Sequence, residues 1–256
     1  MIDELLSFRV VLVGSSAGDG DLLQQAASSS ALPVEVVTTN GGAAAVEELR
    51  AGADLLYVDS LLPPAEIRQA VAVARMARNP PFTVLLDAQD NGSDALETDG
   101  FETDALAAKP AQLTEAKRLL ERSIHVRLPT RALVVDDSPT MRAIVRKLLA
   151  STRFPLDVSE ADEGFAALKT MREEPIDLLF IDYNMPGFSG LETIAELKRE
   201  RRRVHVVLMT SMEDDSLRDR AREHGVAFLK KPFFPADIEA VLCGFYGLRA
   251  LNSKPA

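Results

Sequence analysis

The chain has 256 residues, of which 46% are hydrophobic and 27% charged, so two globular domains fit its length and intrinsic disorder is excluded as the default state. Residues 1–125 carry 19 acidic and 9 basic side chains, whereas residues 126–256 carry 20 of each, a balance that argues against nonspecific nucleic-acid binding. No apolar run approaches the ~20 residues that span a membrane, and the single cysteine, Cys243, excludes an internal disulfide and predicts a cytoplasmic protein with this thiol in its core.

In the first half, short apolar runs stop at polar or small residues. The runs VVLVG, LLYVD and VLLD end at Gly14, Asp59 and Asp87, and Lys109 followed by Pro110 comes after a fourth apolar stretch. Asp59 therefore lies at the end of a predicted strand, where an aspartate can either do chemistry or simply form a turn.

In the second half, five short apolar runs alternate with amphipathic stretches. They are rich in Val, Ile, Leu and Phe without polar alternation, which predicts parallel strands covered on both faces. The predicted strands are Arg131–Asp136, Leu156–Ser159, Asp177–Ile181, Val204–Met209 and Val226–Leu229. Ser138 and Pro139 suit the N-cap and first turn of the helix that follows the first of these strands. Successive β-α units of this kind predict a doubly wound α/β sheet, and the same pattern in both halves predicts two such domains.

Polar side chains follow four of the five strands in the second half. Because ligands of doubly wound sheets bind beyond the carboxyl ends of the strands, these side chains are candidate site residues. They are Asp136, Asp137, Asp182, Thr210 and Lys231. One aspartate after a strand is usually a cap or turn residue, but several carboxylates, a hydroxyl and a lysine at strand ends indicate a binding site. Carboxylate oxygens suit Mg²⁺, and an aspartate can attack a phosphoryl group while a lysine neutralises its oxygens.

The residues from about Arg131 to Leu248 resemble the receiver domain of the two-component response regulators, and the segment VVDDSPTMRAIVRKLL is similar to the single-domain chemotaxis regulator. The resemblance implies a role for each motif residue. It makes Asp136 and Asp137 the acidic pair, Asp182 the phospho-acceptor, Asn184 a backbone-carbonyl ligand of Mg²⁺, Thr210 the switch hydroxyl, Phe228 the aromatic switch residue and Lys231 the lysine of a Lys-Pro bond that is usually cis.

The resemblance also implies a mechanism and partners. Asp182 would take a phosphoryl group from a histidine kinase or a histidine phosphotransfer protein. Mg²⁺ would be held by Asp137, Asp182 and the Asn184 carbonyl, with Asp136 assisting through water. The chain would then be a phosphorylation switch that assists its own modification, and not a metabolic enzyme. A phosphate-ester hydrolase is disfavoured because Asp182 lacks a second aspartate two residues on.

The first half repeats this frame with altered chemistry. Separations of 44, 28 and 22 residues join Ser15, Asp59, Asp87 and Lys109, against 45, 28 and 21 for the matching positions of the second half. Gly14 and Ser15 stand in place of the acidic pair, Asp87 replaces the threonine, and Leu106 lies at the aromatic position. Since the metal ligands are missing and Asp87 adds an anion, we expect that Asp59 is not phosphorylated and that any Asp59–Lys109 pair is structural.

We therefore expect a degenerate receiver at residues 1–125, a linker at 126–130, a phosphorylatable receiver at 131–248 and a tail at 249–256. The expected output is contact with an unknown downstream protein or homodimerisation, without nucleic acid or membrane as a partner. An alternative is that the chain is the regulatory receiver-receiver portion of a larger effector such as a diguanylate cyclase.

Overall fold

The computed structural model describes residues 7–14, 16–87, 101–212 and 225–250. The chain divides into two compact units, Leu128–Phe245 and the remainder, which comprises Met1–Arg127 together with the segment from Tyr246 onward. Ser15 and residues 251–256 of the expected tail lie outside the described part of the chain.

The first unit is a parallel sheet with helices between its strands. Its elements in chain order are β1 Phe8–Gly14, α1 Ala17–Ser28, β2 Val34–Asn40, α2 Gly42–Ala51, β3 Leu55–Asp59, α3 Pro64–Arg75, β4 Phe82–Asp87, β5 Ala105–Ala108 and α4 Leu113–His125. The strands pair in the order β2-β1-β3-β4-β5, so β2 and β5 are the edge strands. Every residue of β3 and β4 is buried, as expected for central strands covered on both faces.

The second unit repeats this architecture. Its elements are β6 Thr130–Val135, α5 Pro139–Ala150, β7 Leu156–Ala161, α6 Gly164–Glu173, β8 Leu178–Asp182, α7 Gly190–Arg199, β9 His205–Thr210, β10 Ala227–Lys230 and α8 Pro235–Phe245. The strand order is β10-β9-β8-β6-β7, which is the order of the first sheet read from the other edge. The predicted fold class, two doubly wound α/β domains with five-stranded parallel sheets, is confirmed.

Local sequence signals account for the start of the helix after β6. The Ser138 side chain accepts a hydrogen bond from the Met141 N–H, and Pro139 occupies the first turn of α5. The cap and the proline start this helix one turn beyond the end of β6 and therefore fix the loop that carries Asp136 and Asp137. Cys243 is buried in α8, as expected of a core thiol.

The unit boundaries differ from the expected ones at the carboxyl end. Tyr246–Leu248 were expected in the second domain and Arg249 in the tail, whereas all of them group with the first unit. Arg249 pairs with Leu106 of β5 through an isolated antiparallel bridge. The physical reason is that an edge strand offers unpaired N–H and C=O groups, which the returning chain satisfies. The other division, between Arg127 and Leu128, falls inside the segment 126–130 expected as the linker.

Candidate functional site

Three carboxylates meet at the carboxyl ends of two neighbouring strands. Asp136 and Asp137 follow β6 directly, and Asp182 is the last residue of β8, which pairs with β6 in parallel register. One oxygen from each of the three side chains lies within 4.8 Å of the others. Asp136 and Asp182 are buried and Asp137 is exposed, so the cluster opens to solvent on the Asp137 side. Such a set of hard oxygen donors suits a divalent cation that retains water, as Mg²⁺ does.

Lys231 supplies a cation at this cluster. Its Nζ donates hydrogen bonds to Asp136 Oδ2 at 2.8 Å and to Asp182 Oδ1 at 2.7 Å. Burial by itself lowers the pKa of Lys231, but the hydrogen bonds to Asp136 and Asp182 outweigh it and raise the pKa above its ordinary value. One ammonium against three carboxylates leaves the cluster with a net negative charge, which favours an additional cation.

Asp182 is held in an environment that resists its ionisation. Burial raises the pKa of Asp182 above its ordinary value and is the largest influence; Lys231 opposes it, and the nearby Asp136 and Asp137 carboxylates raise the pKa further. A carboxylate in such a setting is a candidate functional group, because its ionised form depends on nearby positive charge, of which Lys231 supplies a part.

Asp136 is fixed from both its side chain and its backbone. Its Oδ1 accepts the Ser138 N–H at 2.9 Å, and its carbonyl oxygen accepts a hydrogen bond from Arg142 Nη1 at 2.7 Å. The loop after β6 is therefore tied to the first turns of α5, and the acidic pair is positioned by backbone contacts as well as by Lys231.

The remaining predicted residues surround this cluster along β9 and β10. Thr210 ends β9 and is buried, and its hydroxyl accepts the Met212 N–H at 3.0 Å. The Thr210 carbonyl accepts the Lys231 N–H at 2.7 Å, so the two residues are linked through the backbone. Phe228 lies opposite Leu208 in the β9–β10 register and packs, half-buried, against the apolar core. Asn184 is exposed two residues after Asp182, and the Lys231–Pro232 peptide bond is cis.

Sequence reasoning did not single out Gly190, which supports the site from α7. A Cβ at Gly190 would lie 2.2 Å from the Asp182 carbonyl oxygen, so any other side chain at this position would displace the backbone of Asp182. The available signal was its place directly after the N-cap Ser189, eight residues beyond the acidic strand end. Its role depends on the approach of helix and strand, which no local pattern reveals.

The corresponding place in the first unit has a different arrangement. Lys109 Nζ donates to Asp59 Oδ2 at 2.8 Å and lies 2.7 Å from Asp19 Oδ2, which extends from the first turn of α1. Asp59 is buried, and its Oδ1 accepts the Leu61 N–H at 3.0 Å. Asp19 was missed from the sequence, although an acidic residue in the first helical turn after β1 was a usable signal. Asp19 brings a carboxylate to Lys109 from a helix, whereas the carboxylates that contact Lys231 in the second unit lie at the ends of strands.

Asp87, which replaces the threonine, is buried at the end of β4 and faces a basic side chain. Its Oδ2 lies 3.8 Å from an Arg249 guanidinium nitrogen. In the described residues, a grouping of three potential metal-ligating side chains occurs at Asp136, Asp137 and Asp182 and at no other place. Among the described helices, none is both long and apolar enough to cross a membrane.

Fold and site together define a class: a doubly wound α/β protein with an acidic, lysine-bridged cluster at the carboxyl edge of a parallel sheet. Residues 132–242 match the family model of the response regulator receiver domain. The chemotaxis protein CheY of Pseudomonas aeruginosa is 35% identical over 104 residues, which are 40% of this chain and 83% of that protein. The chain belongs to the response regulator receiver family, whose domains are signalling switches.

Two further comparisons bear on the whole chain. The cyclic di-GMP phosphodiesterase response regulator RpfG of Xanthomonas campestris pv. campestris is 31% identical over 143 residues, which are 55% of this chain and 38% of that protein. The solved structure of a probable two-component system response regulator/GGDEF domain protein superposes over 93% of this chain and 97% of its own, with a TM-score of 0.55 and 22% identity. That likeness shows the fold of both units, and the tandem receiver arrangement predicted from the sequence is confirmed.

Proposed function

We propose that the second unit is the phosphorylatable receiver of a phosphorelay and that Asp182 accepts the phosphoryl group. The donor is a phosphohistidine on a histidine kinase or a histidine phosphotransfer protein. The observation that carries this proposal is the meeting of Asp136, Asp137 and Asp182 within 4.8 Å, with Lys231 hydrogen-bonded to two of them.

In the proposed step a carboxylate oxygen of Asp182 attacks phosphorus, the phosphorus–nitrogen bond to histidine breaks, and the imidazole nitrogen keeps the bonding electron pair. The product is an acyl phosphate on Asp182. Asp137, Asp182 and the Asn184 carbonyl would hold Mg²⁺, with Asp136 acting through water. When bound, the cation supplies neutralisation of charge on the phosphoryl oxygens. Lys231 contributes a second positive charge from its present position on Asp182.

The modification is proposed to act on the surface through two residues beside the pocket. The Thr210 hydroxyl, now accepting the Met212 N–H, would turn to donate to a phosphoryl oxygen. Phe228, half-buried on the adjacent strand, would then move toward the space behind Thr210. A small change of charge would thus bias a packed, two-state surface near β10 and α8.

The first unit is proposed to be a degenerate receiver that takes no phosphoryl group. No acidic pair follows β1, because Gly14 and Ser15 stand at that place, so the carboxylates that would hold a cation beside Asp59 are missing. Without that cation, the negative charge of Asp19, which lies 2.7 Å from Lys109, would oppose an incoming phosphoryl group. The ion pair of Asp59 and Lys109 therefore serves the fold.

For the output we propose contact with a downstream protein or homodimerisation in the cytoplasm. The alternative is that the chain is a regulatory portion of a larger effector such as a diguanylate cyclase. The name of the structural neighbour, a response regulator/GGDEF domain protein, supports this alternative. Gel filtration with and without a phosphoryl mimic, together with the reading frame beyond Ala256, separates these outputs.

The central experiment is incubation of the full chain with a small acyl phosphate and Mg²⁺, followed by intact mass measurement. Wild type and Asp59→Asn should each gain one phosphoryl group, and Asp182→Asn should gain none. Asp59→Asn is the matched control, because Asp59 is also a buried strand-end aspartate hydrogen-bonded to a lysine. Label that survives in Asp182→Asn and disappears in Asp59→Asn would reverse the assignment of the two units.

A further inference from the structure

The five residues after α8 return to the first unit and pair with its edge strand. We call residues 246–250 the strap. Leu106 of β5 donates its N–H to the Arg249 carbonyl at 2.8 Å, and Arg249 donates its N–H to the Leu106 carbonyl at 2.9 Å. Tyr246 and Leu248 are each 5% exposed, so the strap is buried at alternate positions, as a strand laid on a sheet edge is.

Two further contacts anchor the strap. Arg122 of α4 donates from Nη1 to the Gly247 carbonyl at 3.3 Å. Gly247 has a φ of +67°, a backbone conformation that favours glycine, and a Cβ there would lie 2.8 Å from the Arg122 guanidinium carbon, so that side chain would have to shift. The Arg249 guanidinium lies 3.8 Å from Asp87 Oδ2, and the carboxylate that replaces the switch threonine thus contacts the strap.

An exposed edge strand is a surface that recruits another strand through its unpaired backbone groups. We propose that the β5 edge of the first unit is a strand-binding surface, that its occupant is the strap of the same chain, and that Asp87 is a positioning residue for Arg249. The degenerate receiver thereby acts as a docking module for the chain that leaves the phosphorylatable receiver.

The strap is also connected to the proposed phosphorylation site through one helix. Lys231, which contacts Asp182, is followed by Pro232, by α8 and then directly by Tyr246. Resting on the proposed function, we infer that phosphorylation weakens the strap. A phosphoryl group draws Lys231 Nζ to new oxygens at one end of this segment. The other end is held by the strap's backbone pair with Leu106, its hydrogen bond from Arg122, its ion pair with Asp87 and its two buried side chains, so a shift at the Lys231 end strains these contacts.

The first test is amide hydrogen exchange of the full chain at Leu106 and Arg249. Both amides should be protected in the unmodified protein. Arg249→Pro, which removes the strap's donor N–H, should reduce protection at Leu106 by about tenfold or more. Arg249→Ala should reduce it less, because the backbone bonds remain. Arg118→Ala, at an exposed arginine of α4, is the matched control and should change nothing. Rapid exchange of the Leu106 amide in the unmodified wild type would contradict the proposal that the strap occupies the β5 edge.

The second test uses Mg²⁺ with beryllofluoride as a phosphoryl mimic. Saturating wild type should lower protection at Leu106 by about fivefold or more, and Arg249→Pro should bind the mimic correspondingly more tightly, because coupling between two sites is reciprocal. Binding of the mimic with unchanged protection would contradict the coupling alone. If the mimic does not bind to the wild type, and Asp182→Asn behaves in the same way, the proposed function and the coupling are both contradicted. The first test decides independently whether the strap occupies the β5 edge.

Discussion

At the scale of residues, the two units use one lysine in the same way and differ in the carboxylates around it. Lys231 bridges Asp136 and Asp182, whereas Lys109 bridges Asp59 and Asp19. In each case burial lowers the pKa of the lysine and the two carboxylates outweigh it, so that the pKa is raised. The second unit has Asp137 in addition, which gives its cluster one more negative charge and a third carboxylate that could bind a cation.

Replacing either lysine should destabilise its own unit, and Mg²⁺ should distinguish them. Lys231→Ala and Lys109→Ala should each lower the free energy of unfolding by about 3 kcal/mol, because a buried carboxylate loses its charged partner. Mg²⁺ should restore stability in Lys231→Ala, where three carboxylates remain, and much less in Lys109→Ala. Calorimetry of the full chain with and without Mg²⁺ provides the measurement, and equal rescue of both variants would contradict the difference between the sites.

The pH dependence of these pairs follows from the raised lysine pKa values. A lysine whose pKa in the folded protein exceeds its ordinary value of 10.5 contributes its full stabilisation of the fold below pH 10.5. This contribution is lost as the pH rises through the pKa of the folded protein. The wild-type ion pairs are therefore complete at neutral pH. In Lys231→Ala, acidification should relieve the destabilisation, because protonation of Asp182, whose pKa is raised by burial, removes one charge from the carboxylate cluster.

At the scale of elements, the site is built by the ends of strands and the first turns of the helices that follow them. The α5 cap ties the loop after β6, and a capping box of Ser189 and Glu192 begins α7. The hydrogen bonds from Ser189 lower the pKa of the Glu192 carboxyl. Starting α7 at this residue brings Gly190 against the Asp182 carbonyl, so the helix start determines where the strand-end aspartate lies.

Gly190→Ala should therefore disturb the site, and Gly244→Ala should not. The added methyl at Gly190 meets backbone at 2.2 Å, which should lower the free energy of unfolding by about 1–3 kcal/mol and slow acyl phosphate labelling of Asp182. At Gly244, within α8, a Cβ would have no neighbour within 4 Å, and alanine should raise stability by about 0.5–1 kcal/mol. Urea unfolding midpoints and labelling rates measure both effects; unchanged labelling in Gly190→Ala would refute the close-approach argument.

At the scale of the whole molecule, the two units of one fold differ in net charge. Residues 1–127 and 246–256, which form the first unit, have 19 acidic and 12 basic side chains, a net charge of −7, while residues 128–245 have 20 acidic and 17 basic, a net charge of −3. An excess of charge of one sign opposes compactness, and this repulsion is screened over ~8 Å at physiological ionic strength. The stability of the first unit should therefore respond more strongly to salt than that of the second.

Raising NaCl from low to about 0.5 M should increase the unfolding temperature of the first unit by several degrees and that of the second by less. Calorimetry in both buffers measures the shift. The Lys109→Ala and Lys231→Ala variants assign each transition to its unit, since each should lower only one of them. A larger salt response in the second unit would contradict the electrostatic argument.

Much of the fold and of the site could be predicted from local patterns. Apolar runs without alternation indicate strands buried on both faces, and the five predicted strands of the second unit agree with the structure to within two residues. Asp136, Asp137, Asp182 and Lys231 were identified because strand ends are visible in the sequence. Parallel pairing then brings such ends to one edge of the sheet, where three carboxylates and a lysine meet.

The sequence by itself determined the elements, their repeat and the residue types of the pocket, since these depend on periodicity and on spacing along the chain. Only the tertiary structure decided which residues, distant in the sequence, contact the residues of the two sites. Asp19 joins Lys109 from a helix, Gly190 touches the Asp182 backbone, and Arg249 reaches Asp87 across 162 positions of sequence. These contacts join residues with no shared local pattern, and their free energy arises from burial and charge pairing that exist only once the units have folded.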